Sequence, residues 1–288
     1  EKAVYGQPQR LADNLVCVLA ENPKDYTGPG TNCYLIGTER LWVVDPGPRS
    51  EAHIKAVLAA IDGRPVDGIF VTHTHMDHSP AAQVLSELLG APTYGMGPID
   101  KALAAQTKED VDTDFVPDAF IRHGDEFNGA AGRLQAVHTP GHFPNHLCLF
   151  MPESGLMFTG DHVMGWSTTA IVPPLGNLHD YMESLDLIEG YKANTFLPSH
   201  GDVILEPQQR LNDIRAHRQI RHGQILACLE RGIASAADIV ASIYEGLTPR
   251  LFEAAEGQVT AHLECIERGV DAALQPCTTV REKLRATA

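Results

Sequence analysis

The stretch VTHTHMDHSP, residues 71–80, places three histidines and one aspartate within six positions, directly after the apolar run 68–71. Imidazole and carboxylate groups are costly to bury without partners. His73, His75, Asp77 and His78 are residue types that bind zinc and related divalent cations, and a loop would let them face one small volume. A solvated surface loop explains a lone histidine but accounts poorly for this cluster. The stretch therefore predicts a metal site with room for two ions.

Further candidate ligands follow other apolar runs of the sequence. The segments AVHTPGH, FTGDH and FLPSHG contribute His138, His142, Asp161, His162 and His200. Functional side chains gather in loops at one end of a sheet scaffold. We therefore expect one convergent site rather than scattered surface histidines.

The elements that must position these residues are strands alternating with helices up to about residue 205. Residues 31–37, 41–48 and 66–73 read as strands, and residues 50–63 and 79–90 as amphipathic helices with Ser50 and Ser79 as N-caps. After Pro207, residues 208–231, 234–246 and 249–269 are predicted to form three helices. This order predicts an α/β domain over residues 1–205 and a small helical domain, winged-helix-like or three-helix, over residues 206–288.

Composition and charge indicate which partners and which location to expect for the protein. Residues 1–205 carry 12 basic and 26 acidic side chains, a net charge of −14, whereas residues 206–288 carry 10 and 11. An acidic surface repels polyphosphates, so nucleic acid is a disfavoured partner. No apolar stretch approaches the roughly 20 residues of a membrane span. Six scattered cysteines without a CxxC pair, and no signal-type segment, lead us to expect a cytoplasmic protein.

The order of these motifs resembles the metallo-β-lactamase superfamily. HxHxDH at residues 73–78, HTPGH at 138–142, GD at 160–161 and SHG at 199–201 carry the resemblance, which covers about residues 28–205. It implies an αββα sandwich with a binuclear site. The implied ligands are His73, His75 and His142 on one metal, Asp77, His78 and His200 on the other, and Asp161 bridging both. The expected metals are two zinc ions, with iron or manganese as alternatives.

The region after Pro207 resembles the beta-lactamase-like protein 2 branch, in which a winged-helix-like domain follows the sandwich. TNCYLIG, VVDPG and HDYMESL are also similar to that branch. A dimerisation or pocket-lid role for the tail is an alternative that leaves room for a homodimer.

Two adjacent cations would lower the pKa of a bridging water and polarise the bond under attack. With Asp77 orienting that water or accepting its proton, we predict hydrolysis of a small-molecule ester, thioester, lactone or amide.

The rival hypothesis is an endoribonuclease-like phosphodiesterase, in which the tail aids nucleic-acid binding. Its support would be a basic strip on the long helix, formed by Arg210, Arg215, Arg218 and Arg221. A solvated helix face with local ion pairs to residues such as Asp213 is the favoured alternative for these arginines. The sequence contains no G-x-S-x-G motif, so a nucleophilic serine is not supported.

Other residues have open roles at this stage. His146, Trp166 and His179 are candidates for substrate binding, although Trp166 could equally pack between layers. His138 and His162 are candidates for supporting the metal ligands. Asp45 could orient a ligand or simply form the turn before Pro46. Ser199 stands where relatives often have glycine, which leaves substrate preference open.

Overall fold

Two β-sheets form the centre of the structure, a computed structural model that describes residues 3–275. The first sheet has seven strands in chain order: β1 Pro8–Ala12, β2 Leu15–Leu19, β3 Asn32–Ile36, β4 Leu41–Val44, β5 Val66–Phe70, β6 Thr93–Gly95 and β7 Ala119–Phe120. Strands β1 to β4 are antiparallel and β4 to β7 are parallel. The parallel strands end at one edge, where their loops can meet.

The second sheet has five strands in the order β12-β11-β10-β9-β8. They are β8 Glu126–Gly129, β9 Gly132–His138, β10 Leu147–Met151, β11 Leu156–Gly160 and β12 Thr195–Pro198, with only β11 and β12 parallel. The two sheets face each other across aromatic contacts, including Tyr34 with Phe158, whose ring centroids lie 5.3 Å apart. Apolar burial between the sheets joins them into a sandwich.

Helices cover both outer faces of the sandwich. On the first sheet, α1 Glu51–Ile61 and α2 Ala81–Leu89 bury Val57 and Leu85. On the second sheet, α4 Leu178–Gly190 buries Leu185. A short helix, α3 Lys101–Ala104, lies between β6 and β7 in the chain. The predicted αββα architecture is confirmed.

The region after residue 205 is helical in its described part. It comprises α5 Pro207–Glu230, α6 Ala236–Ile243, α7 Pro249–Arg268 and a 3₁₀ turn at Ala272–Leu274. Ile225, Ile239 and Val259 share a small apolar core, while Ile214 and Ala261 pack with residues of the second sheet. Within residues 3–275 no helix combines the length and apolar character needed to cross a membrane.

Two local predictions differ in outcome. Ser50 caps α1 as expected, because its side chain accepts from the backbone N–H of His53. The predicted Ser79 cap is wrong, since α2 begins at Ala81 and the Ser79 hydroxyl donates to Asp112 instead, at 2.6 Å. The β1–β2 hairpin was not predicted, because every residue of β1 is exposed and shows no alternation of apolar and polar positions.

Candidate metal centre

Seven predicted side chains converge at one edge of the sandwich. His73, His75, Asp77 and His78 lie in the loop after β5, and His142, Asp161 and His200 follow β9, β11 and β12. The ligand atoms of His73, His75, His142 and Asp161 lie within 4.8 Å of one another, and those of Asp77, His78 and His200 form a second such group. The structure thus brings together residues from both sheets.

In the first group, three imidazole rings point nitrogen lone pairs at one another. His75 Nδ1 lies 2.8 Å from His73 Nε2 and 3.3 Å from His142 Nε2. The opposite nitrogens face groups that can only accept: His142 Nδ1 donates to the Ala170 carbonyl at 2.7 Å, and His75 Nε2 to Glu109 at 3.2 Å. A neutral imidazole carries one proton, so the converging atoms are acceptors. A cation bound between these three nitrogen atoms would accept their lone pairs.

In the second group, imidazole nitrogens face carboxylates. Asp77 Oδ2 lies 3.2 Å from His200 Nε2 and 3.4 Å from His78 Nε2. His200 Nδ1 donates to the Gly30 carbonyl at 3.0 Å, which again leaves Nε2 as the lone-pair atom of a neutral ring. The inward-facing atoms of both groups are therefore suited to ligation.

Asp161 lies between the two groups. Its Oδ1 is 3.2 Å from His200 Nε2, and its Oδ2 is 3.5 Å from His78 Nε2 and 3.7 Å from His142 Nε2. Because Oδ1 faces the second group and Oδ2 lies near histidines of both groups, the carboxylate can contact cations in both.

Asp45 orients two of the candidate imidazole ligands from the side that faces away from the metal centre. It is fully buried, and its Oδ2 accepts from His78 Nδ1 at 3.0 Å, Thr72 Oγ1 at 2.8 Å and Ser199 Oγ at 2.5 Å. Thr72 Oγ1 in turn lies 3.0 Å from His73 Nδ1. Because Asp45 also has a φ of +48° in the turn after β4, it has both of the roles considered from the sequence.

His146 holds Asp161 rather than a substrate. Its Nδ1 donates to Thr139 Oγ1 at 2.8 Å, and its Nε2 accepts from the Asp161 backbone N–H at 3.1 Å. The ring is fully buried, so neither nitrogen is left for a ligand. A Cβ at Gly160, whose φ is +50°, would lie 2.4 Å from His146 Nε2, so glycine is needed there.

The other candidates for substrate binding lie in different surroundings. Trp166 is 47% exposed and its indole lies against Gly28 and Gly201, beside His200. His179 lies on α4, where its ring pairs with Glu183 at 3.5 Å, one turn along the same helix. Trp166 therefore packs against the glycine that follows His200, whereas His179 makes a local contact.

The two supporting candidates are held by the fold. His138 Nε2 donates to the Pro144 carbonyl at 2.9 Å. The His162 ring is buried against Tyr181, with centroids 4.7 Å apart, and burial lowers its pKa to about 3. Neither ring belongs to the two groups of candidate ligands.

Two residues that hold the 73–78 loop were not predicted from the sequence. Glu109 accepts from His75, and Asn145 donates to Thr74 Oγ1 at 2.9 Å and to the Gly97 carbonyl at 2.6 Å. Both contacts join segments more than 30 residues apart, so no local pattern could have indicated them.

The electrostatics of the centre without a cation follow from burial and pairing. Burial would raise the pKa of Asp77, but His78 and His200 outweigh it and hold that pKa well below its usual range. Burial would lower the pKa of His200, but Asp161 and Asp77 raise it to about 10. A cation entering the second group must therefore displace protons.

The donor set fits divalent metal ions. His78 Nε2 and Asp161 Oδ1 are buried atoms without a well-aligned hydrogen bond, although His200 Nε2 lies 3.2 Å from Asp161 Oδ1. Buried polar atoms nearly always have a partner, and here a cation would supply one. Imidazole nitrogens with carboxylate oxygens are ligands for zinc, iron or manganese. The site thus has the composition and orientation of a divalent metal centre.

The basic strip that the rival hypothesis needs is not formed on α5, because its arginines are engaged within the fold. Arg218 is 2% exposed. The others also have partners: Arg210 donates to the carbonyls of Met164 and Ser167, Arg215 pairs with Asp186 and Glu189, and Arg221 lies over the Tyr244 ring. None of the four forms part of a solvent-exposed row.

Comparisons with known proteins agree with this geometry. The sequence profile described as "Metallo-beta-lactamase superfamily" matches residues 26–200, and the "Beta-lactamase associated winged helix domain" matches residues 235–268. The chain is 30% identical over 268 residues to the "Beta-lactamase-like protein 2 homolog" of Drosophila melanogaster, covering 90% of this chain and 89% of that protein.

Two further relatives are informative. An "Atrochrysone carboxyl ACP thioesterase" of Aspergillus fumigatus is 30% identical over 259 residues, which are 84% of this chain and 75% of that protein. The crystal structure of a beta-lactamase domain protein from Burkholderia ambifaria superposes with a TM-score of 0.76 at 25% identity, covering 92% of this chain and 88% of the other.

Proposed function

The chain belongs to the metallo-beta-lactamase superfamily of hydrolases, and from this premise we propose that it hydrolyses a small-molecule ester, thioester, lactone or amide with two divalent metal ions. The convergence of five imidazole lone pairs and two carboxylates on one buried edge carries the proposal. In each imidazole the nitrogen that faces away from the site makes a hydrogen bond, which leaves the other nitrogen facing inward as a metal ligand needs.

The proposed ligand sets follow the two groups. His73, His75 and His142 would hold one ion, Asp77, His78 and His200 the other, and Asp161 would contact both. We propose zinc as the metal, with iron and manganese as the alternatives that the same ligand types accept.

Bound metal ions would make water nucleophilic at neutral pH and polarise the bond under attack. Asp77 is the carboxylate at the open edge, because its side chain is 25% exposed whereas that of Asp161 is 10% exposed. Thr31 Oγ1 donates to Asp77 Oδ2 at 3.3 Å and fixes the carboxylate. Asp77 is therefore placed to accept the proton of the attacking water.

The edge of the centre supports an acyl substrate with an apolar part. Met76, between His75 and Asp77, is 45% exposed, and Trp166 packs against Gly201, the residue after His200. Exposed apolar side chains beside a polar centre can bury part of a ligand. Together with the thioesterase name of one relative, they favour a thioester within the proposed class.

The test is an assay of metal-loaded protein against thioesters, lactones, β-lactams and single-stranded RNA. We expect thioester or lactone turnover, and Asp77→Ala to lower kcat by roughly 100-fold or more. Asp110→Asn is the control, since Asp110 is an exposed carboxylate of a neighbouring loop that pairs with Lys24. RNA cleavage that Asp77→Ala abolishes, without turnover of any acyl substrate, would overturn the proposal in favour of the phosphodiesterase hypothesis.

Two further proposals concern organisation and location. We propose a division near residues 205 and 206, supported by the profile matches that end at 200 and begin at 235. We also propose a reducing cytoplasm, supported by the free, buried state of all five cysteines in the described range. A homodimer stays a prediction.

A further inference from the structure

A long loop between β11 and α4 supports two of the proposed metal ligands. This loop, residues 161–176, begins with Asp161, and the carbonyl of Ala170 accepts from His142 Nδ1 at 2.7 Å. Any displacement of the loop would shift the carboxylate or release the imidazole. Its attachment to the rest of the protein therefore bears on the metal centre.

The donors that hold the middle of this loop come from the C-terminal helices. The Thr169 carbonyl accepts from Arg218 Nη2 at 2.5 Å and from Gln258 Nε2 at 3.2 Å. Arg218 Nη1 also donates to Gln258 Oε1 at 2.8 Å, which links α5 to α7. One backbone carbonyl thus accepts hydrogen bonds from two side chains, one on each of two helices.

The same threonine connects these donors to the proposed bridging ligand. Thr169 Oγ1 donates to the Asp161 carbonyl at 2.7 Å and lies 3.1 Å from the His162 carbonyl. The path from Arg218 to Asp161 therefore consists of two buried hydrogen bonds through one residue. Thr169 is only 1% exposed, so water does not compete for these bonds.

Two more contacts fasten the loop on either side of Thr169. Arg210 on α5 donates to the carbonyls of Met164, at 2.9 Å, and Ser167. On α7, a Cβ at Gly257 would lie 2.9 Å from Val172 Cγ1, so this glycine allows close approach of the helix. The helices contact the loop along most of its length.

Burial of the Arg218 guanidinium costs desolvation free energy that a packing role alone does not explain. It is 2% exposed, lies 5.2 Å from the Tyr181 ring centroid, and within residues 3–275 forms no ion pair with a carboxylate. An apolar side chain of similar volume would fill such a site at lower cost in desolvation. A guanidinium is useful here because it delivers several donors in fixed geometry to carbonyl oxygens.

We propose that the helical region is a positioning element for the metal centre, in which Arg218 and Gln258 fix the Thr169 carbonyl and so hold Asp161 and His142 in ligating orientation. The inference rests on the metal centre of the proposed function. It assigns the appended domain a role at the centre that requires no contact with substrate.

The experiment measures metal release from the loaded full-length protein into excess chelator. We expect Arg218→Met to release metal roughly 10-fold to 100-fold faster than the unmodified protein, as for other groups that orient ligands. Arg215→Met is the matched control on the same helix, since Arg215 pairs with Asp186 and Glu189 away from the loop, and it should release metal at the unmodified rate. Arg218→Lys should recover part of the loss, because an ammonium group can still donate to the Thr169 carbonyl but lacks the fixed geometry of the guanidinium.

A double-mutant cycle separates positioning from a merely structural role. Thr169→Val removes the hydroxyl that reaches Asp161, so its effect on metal release should be largely contained in that of Arg218→Met. Additive effects, or Arg218→Met with lower resistance to urea but an unmodified release rate, would overturn the proposal. If Arg218→Met does not fold, Gln258→Met serves instead, with a release rate raised about threefold or more. Absence of metal in the unmodified protein would contradict the proposed function rather than this inference.

Discussion

Asp45 Oδ2 and His78 Nδ1 lie 3.0 Å apart, and neither side chain is exposed to solvent. The carboxylate fixes the proton of His78 on Nδ1, so that Nε2 turns toward Asp77 and Asp161. Through Thr72 the same carboxylate also reaches His73. One buried acid thus orients imidazoles in both groups of candidate ligands without belonging to either group.

Replacing Asp45 with Asn should weaken metal binding at both positions. The amide keeps the shape but loses the charge, and its NH₂ group, which only donates, cannot replace the oxygen that accepts from His78, Thr72 and Ser199. We expect metal affinity to fall by roughly 10-fold to 100-fold and the free energy of unfolding by about 1–3 kcal/mol. Chelator competition and urea denaturation measure the two effects.

The chain offers a matched control for this variant. Asp118 accepts from the backbone N–H and hydroxyl of Thr93, each at 2.8 Å, which repeats the contacts that Asp45 makes with Thr72. Asp118→Asn should leave metal affinity unchanged. An equal loss of affinity in both variants would show that Asp45 acts through general stability.

His142→Ala should reduce the metal content from two ions to about one per chain. The substitution removes an imidazole from the first group and leaves Asp77, His78 and His200 intact. Elemental analysis after reconstitution and dialysis measures the ratio. His138→Ala is the control, because His138 donates to a backbone carbonyl outside both groups and should keep both ions. Less than one metal per unmodified chain would contradict the two-metal proposal.

Trp166→Ala should raise KM for thioesters that carry a large apolar acyl group. Loss of a half-exposed indole next to Gly201 removes about 1 kcal/mol of apolar contact, which corresponds to a roughly fivefold rise in KM. The kcat should change little, since Trp166 is not a candidate ligand. Leu88→Ala, at an apolar position on α2 that is 61% exposed, should change neither constant. Identical kinetics for both variants would remove Trp166 from the substrate surface.

The stability of the helical region should fall as the pH drops below about 6.5. Burial, with Arg218, His222, Arg221 and His217 nearby, lowers the pKa of His262 well below its usual range. The unfolded chain therefore binds the proton first, and stability present above the unfolded pKa is lost as pH falls, by up to ~1.4 kcal/mol per pH unit.

His262→Gln tests this dependence because glutamine does not titrate. With excess metal present, the free energy of unfolding of the variant should fall less between pH 7 and pH 5.5 than that of the unmodified protein. His123→Gln, at an exposed position, should retain the full dependence. Parallel pH profiles for the unmodified protein and His262→Gln would exclude His262 as the cause.

Much of the site could be predicted from the sequence because its candidate ligands have a local signature. Each of His73, His142, Asp161 and His200 follows an apolar run, and strand ends meet at a sheet edge. The α/β order and the three C-terminal helices likewise follow from the period of apolar residues.

The supporting contacts could not be predicted, because they depend on distant segments meeting in space. Asp45 and Ser199 are 154 residues apart, and Arg218 and Thr169 are 49 apart. The α5 arginines looked like a solvated or nucleic-acid-binding strip, yet the packing of α5 turns Arg218 inward. Ser199, an apparent departure from relatives, has a purpose here as a donor to Asp45.

The candidate ligands are drawn from both halves of the sandwich, four from the loop after β5 and three from loops of the opposite sheet. Any ion held between them therefore crosslinks the two sheets, and its binding energy adds to the cohesion of the fold. At a free metal concentration 100 times the dissociation constant, this linkage contributes about 2.7 kcal/mol for each site. Scarcity of the ion would thus shorten the lifetime of the protein in the cell as well as abolish its metal-dependent activity.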